Sequence, residues 1–388
     1  MPESQTAHGD SIGRAETAET AAPTTPSPDT TNTAARPEPP RVVARPVGDP
    51  VEFHALTHNA GNQATGGIWR VTGTTGTAVL KIATPGDATG TGGGWAPGRD
   101  PRHWNYWARE ALAYRTGFTA RYLADSPLRA PRLLAEAERD DGSVELWLED
   151  VSGRPATDWD AERLGRFARD LGTVQARWTD PADHPEWTSV GWLRAYAGRW
   201  GVTREPDWDD DRVTAVWPED VVRGVAELWH RRHRLFDLAE ALPSTLCHLD
   251  VWPMNLIGRG DDTVMLDWSF VGRGAVGEDI GNLIPDTVAD GLMDADLLPD
   301  FAEAATDGYI AGLRDGGFPG DTDAVRRAVA ICGAAKYCWL APRMVERLLS
   351  GGRVGSSHYG TYTDGAAVMR GRLTMMRLLT DWTRLALE

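Results

Sequence analysis

The sequence predicts an α+β fold in two lobes, a small N-terminal β-sheet lobe with one helix and a larger, mainly helical C-terminal lobe. Three observations predict it. Alternating, β-branched segments are confined to the first 150 residues. Apolar residues beyond Gly153 recur at helical spacing. The strand signals of the second half are short and cluster around two aspartates, Asp250 and Asp267.

Taken in order, residues 1–45 are rich in Ala, Thr, Pro, Glu and Ser and carry too little apolar surface to bury, so a disordered tail is expected. The N-terminal lobe is assigned to 46–150. Ile68-Trp69-Arg70-Val71 and Thr77-Ala78-Val79-Leu80-Lys81-Ile82 flank a turn-rich linker, Thr72 to Gly76, and read as an antiparallel hairpin. A Gly-rich stretch over roughly 85–98 reads as a flexible insertion. Residues 104–118 have helical spacing, with Trp107, Ala111 and Tyr114 on one face. Val144 to Leu148 reads as a further strand, broken by Asp150-Val151-Ser152-Gly153. The C-terminal lobe is assigned to 151–388. Its first helix, capped by Thr157 or Asp158, carries Leu164, Phe167, Leu171, Val174 and Trp178 along one stripe. Further helices are predicted near 219–241, 298–314, 323–349 and 364–387.

The chemistry concentrates in Cys247-His248-Leu249-Asp250-Val251-Trp252-Pro253-Met254-Asn255 and in Val264-Met265-Leu266-Asp267-Trp268. Asp250 can accept or orient the proton of an attacking hydroxyl. Asn255, five residues on, and Asp267, ending an apolar strand, supply oxygen ligands for Mg²⁺. Phosphoryl transfer needs both functions, a group to orient the nucleophile and a cation to neutralise phosphate oxygens. His248 sits in the same loop and is a catalytic candidate beside Asp250; it reads as a brace for the loop through hydrogen bonds, with direct chemistry as the alternative. Lys81, mid-strand among apolar residues, must reach a partner or snorkel; alternation puts Val79 on its face. Glu110, on the following helix, is the carboxylate chosen for it. Asn59 to Gly67 precedes the hairpin, and Gly61, Gly66 and Gly67 would let backbone N–H groups approach a phosphate. It is neither G-x-G-x-x-G nor a Walker A loop, and an ordinary hairpin loop is the alternative. Asp279 is expected to cap a helix or brace the loop of Asp250.

Bulk properties set limits. A hydrophobic content of 41% over 388 residues is enough for a substantial core. The net charge of −16 argues against nucleic-acid partners. Three cysteines give no disulfide framework or zinc spacing, so a reducing, cytoplasmic setting is expected. No apolar run is long enough to span a membrane.

Together these residues resemble the aminoglycoside phosphotransferase and choline-kinase-like family, over roughly 50–380. His248-x-Asp250 with Asn255 is similar to the family's catalytic loop, Asp267-Trp268 to its metal-binding aspartate and following aromatic, and Gly277-Glu278-Asp279-Ile280 to a downstream structural segment. The resemblance implies a protein-kinase-like fold with ATP and Mg²⁺ between the lobes. It implies that Lys81 and Glu110 hold the phosphates and that the Leu148–Val151 connector, through Glu149 and Val151, contacts adenine. The chain departs from the family at Leu249, where Gly is frequent, and at Trp252-Pro253-Met254, bulkier than the common His-Pro-Gly. Both departures bear on the acceptor pocket.

The implied acceptor is a small-molecule hydroxyl: an aminoglycoside, another antibiotic or an amino alcohol, in resistance or biosynthesis. Residues 181–220 carry Trp187, Trp192, Trp200, Trp208 and Trp217 beside Asp207, Asp209, Asp210 and Asp211, which would suit a cationic acceptor; a core role for the tryptophans is the alternative. Trp252 and Trp268 are the substrate-side candidates. Two other functions fit the same residues, a Ser/Thr kinase acting on a peptide during natural-product maturation and a pseudokinase that binds nucleotide or a partner protein.

Overall fold

The computed structural model describes residues 38–86, 95–202, 204–351 and 364–388. The expected tail lies outside these residues as far as 37. Residues 41–44 pack on the sheet, a correction to a tail reaching 45. The cause is the buried carboxylate of Glu145, which accepts the Val43 and Ala44 N–H groups at 2.9 and 3.1 Å. Of the expected Gly-rich insertion, 87–94 lie outside the described residues.

Five strands form the N-terminal sheet: β1 (Pro50–Ala55), β2 (Thr65–Gly73), β3 (Gly76–Ala83), β5 (Leu133–Glu138) and β6 (Val144–Glu149), in the order β1-β2-β3-β6-β5. The predicted hairpin is β2–β3, and its turn is tighter than expected, since Gly73 pairs with Gly76. Alternation along β3 puts Ala78, Leu80 and Ile82 into a small core with Val71, Trp69 and Trp147, while Val79 and Lys81 face the cleft. Gly67 needs its glycine: its φ is +139°, and a Cβ there would lie 2.1 Å from the Trp69 ring.

The helix expected over 104–118 is shorter. It comprises α1 (Arg109–Arg115), followed by α2 (Phe118–Tyr122). The guanidinium of Arg109 takes the carbonyls of Pro101, His103 and Trp104, which holds the preceding segment in turns. Strand β4 (Leu128–Arg129) then joins a second sheet with β7 (Arg154–Pro155), β9 (Leu256–Arg259) and β10 (Asp262–Met265); β8 (Ser244–Cys247) pairs with β11 (Gly272–Ala275).

The helical lobe contains α3 (Ala161–Gln175), α4 (Trp192–Gly198), α5 (Asp211–Thr214), α6 (Glu219–Glu240), α7 (Glu278–Ala289), α8 (Leu298–Asp315), α9 (Val325–Tyr337), α10 (Leu340–Leu349), α11 (Gly365–Gly371) and α12 (Leu373–Leu387). The cap of α3 is Asp160, whose carboxylate accepts the Arg163 N–H at 2.8 Å, because a short 3₁₀ turn occupies Thr157 and Asp158. Two predicted helices are broken. Pro342 cannot donate to the carbonyl one turn back, so 323–349 splits into α9 and α10. Residues 364–387 split at Arg372, which donates to the Ala289 carbonyl at 2.8 Å. Helices α7, α9, α6 and α12 pack as a layer, and α7 lies against α9 through Gly281 and Gly333.

The loop between β8 and β9 carries Asp250 and Asn255, and the residue after Leu266, beyond β10, is Asp267. Both open into the cleft beneath β3. No described helix is long and apolar enough to cross a membrane.

Candidate active site

Lys81 is 5% exposed, and its ammonium sits between two carboxylates, 2.6 Å from Glu110 Oε2 and 2.8 Å from Asp267 Oδ1. It also donates to Ser269 Oγ at 3.1 Å. Burial works against the ammonium, but Asp267 and Glu110 outweigh it and hold Lys81 protonated. Glu110 in turn accepts the Trp268 N–H at 3.2 Å, which ties helix α1 to the backbone just after Asp267. Asp267 adopts φ +57° and receives Ser269 Oγ at 2.5 Å. Burial alone would raise its pKa; Lys81 and Ser269 reverse this and bring it to about 2.

Asp250 is held differently. Asn255 Nδ2 donates to its Oδ2 at 2.8 Å and to its carbonyl at 2.9 Å, closing the loop upon itself. Pro253 lies in the 3₁₀ turn that brings Asn255 back. Burial first, then the nearby charge of Asp267, pushes the Asp250 carboxyl up to about 7, with Lys336 opposing. Two carboxylates in one cleft therefore differ widely in acidity, a pattern typical of sites that move protons.

The scaffold around Asp250 is built from buried polar contacts. His248 Nε2 lies 2.9 Å from the Leu266 carbonyl, and its Nδ1 accepts the Asp250 N–H at 3.3 Å. Only the neutral ring protonated at Nε2 satisfies both, and burial lowers its pKa to about 4. His248 thus braces the loop and is fully enclosed. Asp279 accepts the His248 and Leu249 N–H groups at 2.8 and 2.7 Å and Gln175 Nε2 at 2.7 Å. The expectation that Asp279 caps a helix or braces the loop resolves to bracing. Leu249 has φ +66°, a left-handed conformation costing a non-glycine residue about 1–2 kcal/mol. Its fully buried side chain offsets that strain.

The cleft encloses about 530 Å³, within the usual range for small-molecule sites. Lys81, Glu110, Val79, Glu149, Val151, Asp250, Asn255, Asp267 and Trp252 all reach its walls. The loop before β2 contributes Asn59 and Asn62 to the wall and β2 contributes Thr65, whereas Gly61, Gly66 and Gly67 do not line it. Trp268 requires correction as a substrate-side residue. It is fully buried, its indole N–H donates to the Met265 carbonyl at 3.0 Å, and its ring packs on His248 and Tyr122. The order Asp267-Trp268 places it one residue behind the cleft-facing carboxylate, inside the core. Among the tryptophans of 181–220, Trp192, Trp208 and Trp217 are buried, and Trp200 lines the cleft.

The site also holds residues that the sequence pattern does not single out. Lys336 Nζ pairs with Asp286 Oδ2 at 2.9 Å close to Asp250, and the lone lysine in the apolar run Ala334-Ala335-Lys336-Tyr337-Cys338 was the available signal. Ser269, which bridges Lys81, Glu110 and Asp267, gave no sequence signal apart from its position. Arg199 lines the cleft from the end of α4.

A lysine–glutamate pair reaching from an antiparallel sheet to a helix, over a loop holding Asp and Asn and a strand-end Asp, defines a phosphotransferase of protein-kinase-like fold. The chain belongs to the phosphotransferase enzyme family, whose model matches residues 59–318, and it is a phosphotransferase acting on a hydroxyl group. Among solved structures it is similar to an aminoglycoside phosphotransferase from Alicyclobacillus acidocaldarius, with 15% identity over 90% of this chain and 97% of that one, at a TM-score of 0.51. It is also similar to an amicoumacin kinase (14% identity, 85% and 88% covered, TM-score 0.48) and to a choline kinase from Cryptosporidium parvum (12% identity, 85% and 89% covered, TM-score 0.45). No curated protein matches the chain.

Proposed function

We propose that the protein transfers the γ-phosphoryl group of Mg·ATP to a hydroxyl of a small molecule, drawn from aminoglycoside-like compounds, other antibiotics and amino alcohols. The observation that carries this reading is the convergence of Lys81, Asp250, Asn255 and Asp267 on one cleft, with Lys81 on Asp267 and Asn255 on Asp250.

Each residue has a role. Lys81, fixed by Glu110, orients the nucleotide phosphates. Val79, Glu149 and Val151 border the place of the base. Asp250 orients the acceptor hydroxyl and takes its proton as the new O–P bond forms and the bond to the leaving ADP oxygen breaks. The donor set fits a hard cation: the contacts of Asp267 fall on Oδ1, leaving Oδ2, and Asn255 donates through Nδ2, leaving its carbonyl oxygen. Two protein oxygens are what Mg²⁺ commonly takes when phosphates and water complete its shell. Bound there, the ion would neutralise the phosphate oxygens.

The test is ADP formation from Mg·ATP in the presence of aminoglycosides, other antibiotics, choline-like amines or Ser/Thr peptides. Stimulation by a small-molecule alcohol, absent in Asp250→Ala, is the expected result. Stimulation by peptides alone would replace this reading with a peptide kinase, and ATP binding with no transfer at all would replace it with a pseudokinase.

A further inference from the structure

The acceptor end of the cleft holds a cation that no carboxylate contacts, the charge of Asp250 acting on it beyond ion-pair distance. Arg199 follows α4, and its guanidinium lies between two indoles, its Cζ 3.4 Å from the Trp95 ring centroid and 3.9 Å from that of Trp200. Tyr196 covers a third side at 4.3 Å. The other cations lining this cleft are paired: Lys81 with Glu110 and Asp267, Lys336 with Asp286, Arg372 with Asp290 and Arg70 with Asp150. Among the described residues Arg199 has no ion pair, and its Nε is buried with no hydrogen-bond partner. Resting on the phosphotransferase reading, we propose that the acceptor carries, besides its hydroxyl, a carboxylate or phosphate-like oxyanion that Arg199 binds edge-on.

The physical grounds are these. Aromatic faces shield the guanidinium from water above and below but leave its rim of N–H donors, whose planar fork matches a carboxylate or phosphate. A cation that burial desolvates and no carboxylate contacts is unfavourable, and an incoming anion relieves it. Burial lowers the Arg199 pKa only to about 10, so it stays charged at neutral pH. The acids expected to favour a cationic acceptor are elsewhere: Asp207, Asp209, Asp210 and Asp211 do not line the cleft, and Asp210 is tied to Arg212 at 2.8 Å. Trp200 stacks on Trp339 at 3.9 Å with 15° between planes, which fixes the indole that covers Arg199.

A matched series tests this: 4-(hydroxymethyl)benzoate, the corresponding phenylphosphonate, the benzamide and the benzyltrimethylammonium. Binding to the full chain with Mg·AMP-PNP is followed by calorimetry, and turnover with Mg·ATP is measured in parallel. One or both anions should bind at least about tenfold more tightly than the amide, and Arg199→Gln should shrink that preference to within about threefold. Arg199→Lys should retain part of it, and melting temperature serves as the control for folding. The carboxylate and phosphonate arms say which oxyanion the fork prefers. Equal or tighter binding of the amide or ammonium would overturn the proposal, as would an Arg199→Gln variant that weakens all four probes equally. An Arg199-dependent anion preference without transfer would uphold this site and sink the phosphotransferase reading. Transfer to the ammonium alone would do the reverse.

Discussion

Asp250 and Asp267 have the same side chain and share one cleft, yet their surroundings separate them. Asp267 faces an ammonium at 2.8 Å and is held ionised, whereas Asp250 faces Asn255 and the negative charge of Asp267. Removing them should therefore give different defects. Asp250→Ala should lower kcat by about 10²–10⁴ while the affinity for Mg·ATP stays within a few-fold, as measured by steady-state kinetics and calorimetry. Asp267→Ala should instead raise the Mg²⁺ concentration needed for nucleotide binding; an unchanged Mg²⁺ dependence would remove that residue from the metal site. Glu278 supplies a pH prediction away from the cleft. Burial lifts its carboxyl to about 8, and its Oε1 has no partner. The folded state then binds a proton that the unfolded chain releases above its ordinary pKa of about 4.5. That stabilisation is complete below pH 4.5 and is lost as pH rises through about 8. Urea midpoints of Glu278→Gln should accordingly fall less than wild type between pH 5 and pH 8.5, and parallel curves would contradict the assignment.

At the scale of elements, the site depends on how helices meet the loop of Asp250. Asp279, at the start of α7, takes two backbone N–H groups that have no other described acceptor. Asp279→Ala would leave both buried and unsatisfied, costing about 2–4 kcal/mol and lowering the melting temperature. Gly281 allows α7 to approach α9, since a Cβ there would lie 2.7 Å from the Gly333 nitrogen. Gly281→Ala should destabilise the fold by about 1–3 kcal/mol and disturb the Asp286–Lys336 pair those helices carry. Legibility follows the same division. The β2–β3 hairpin, β6, α6 and α8 were readable because each has a strong local period. The break at Pro342 was written in the chain; the Arg372 contact beside the other break reaches Ala289, 83 residues away, which no local pattern announces. Likewise Asp250, Asn255 and Asp267 were legible from their spacing, Lys81 from its place in an apolar strand and Glu110 from the resemblance to kinases. Arg199, Ser269 and the Lys336–Asp286 pair acquire meaning only from tertiary neighbours. Trp268 shows the opposite error, a residue adjacent to the motif whose side chain turns into the core.

Across the whole molecule, the cleft is a junction of the two lobes. Sheet residues Val79 and Lys81 form one wall, the Asp250 and Asp267 loops form the floor, and α4, α7, α9 and α10 bound the acceptor end. Glu110 and Ser269 bind the lobes through Lys81, so Glu110→Gln should weaken the hold on Lys81 and raise KM for ATP more than it lowers kcat. The measurement that tests the central claim most directly is transfer of ³²P from γ-labelled ATP to an alcohol acceptor in a single turnover, with wild type and Asp250→Ala compared at saturating Mg·ATP. The account predicts labelled acceptor from wild type and a variant that binds nucleotide but leaves the label on ATP. Equal transfer by both proteins would contradict it.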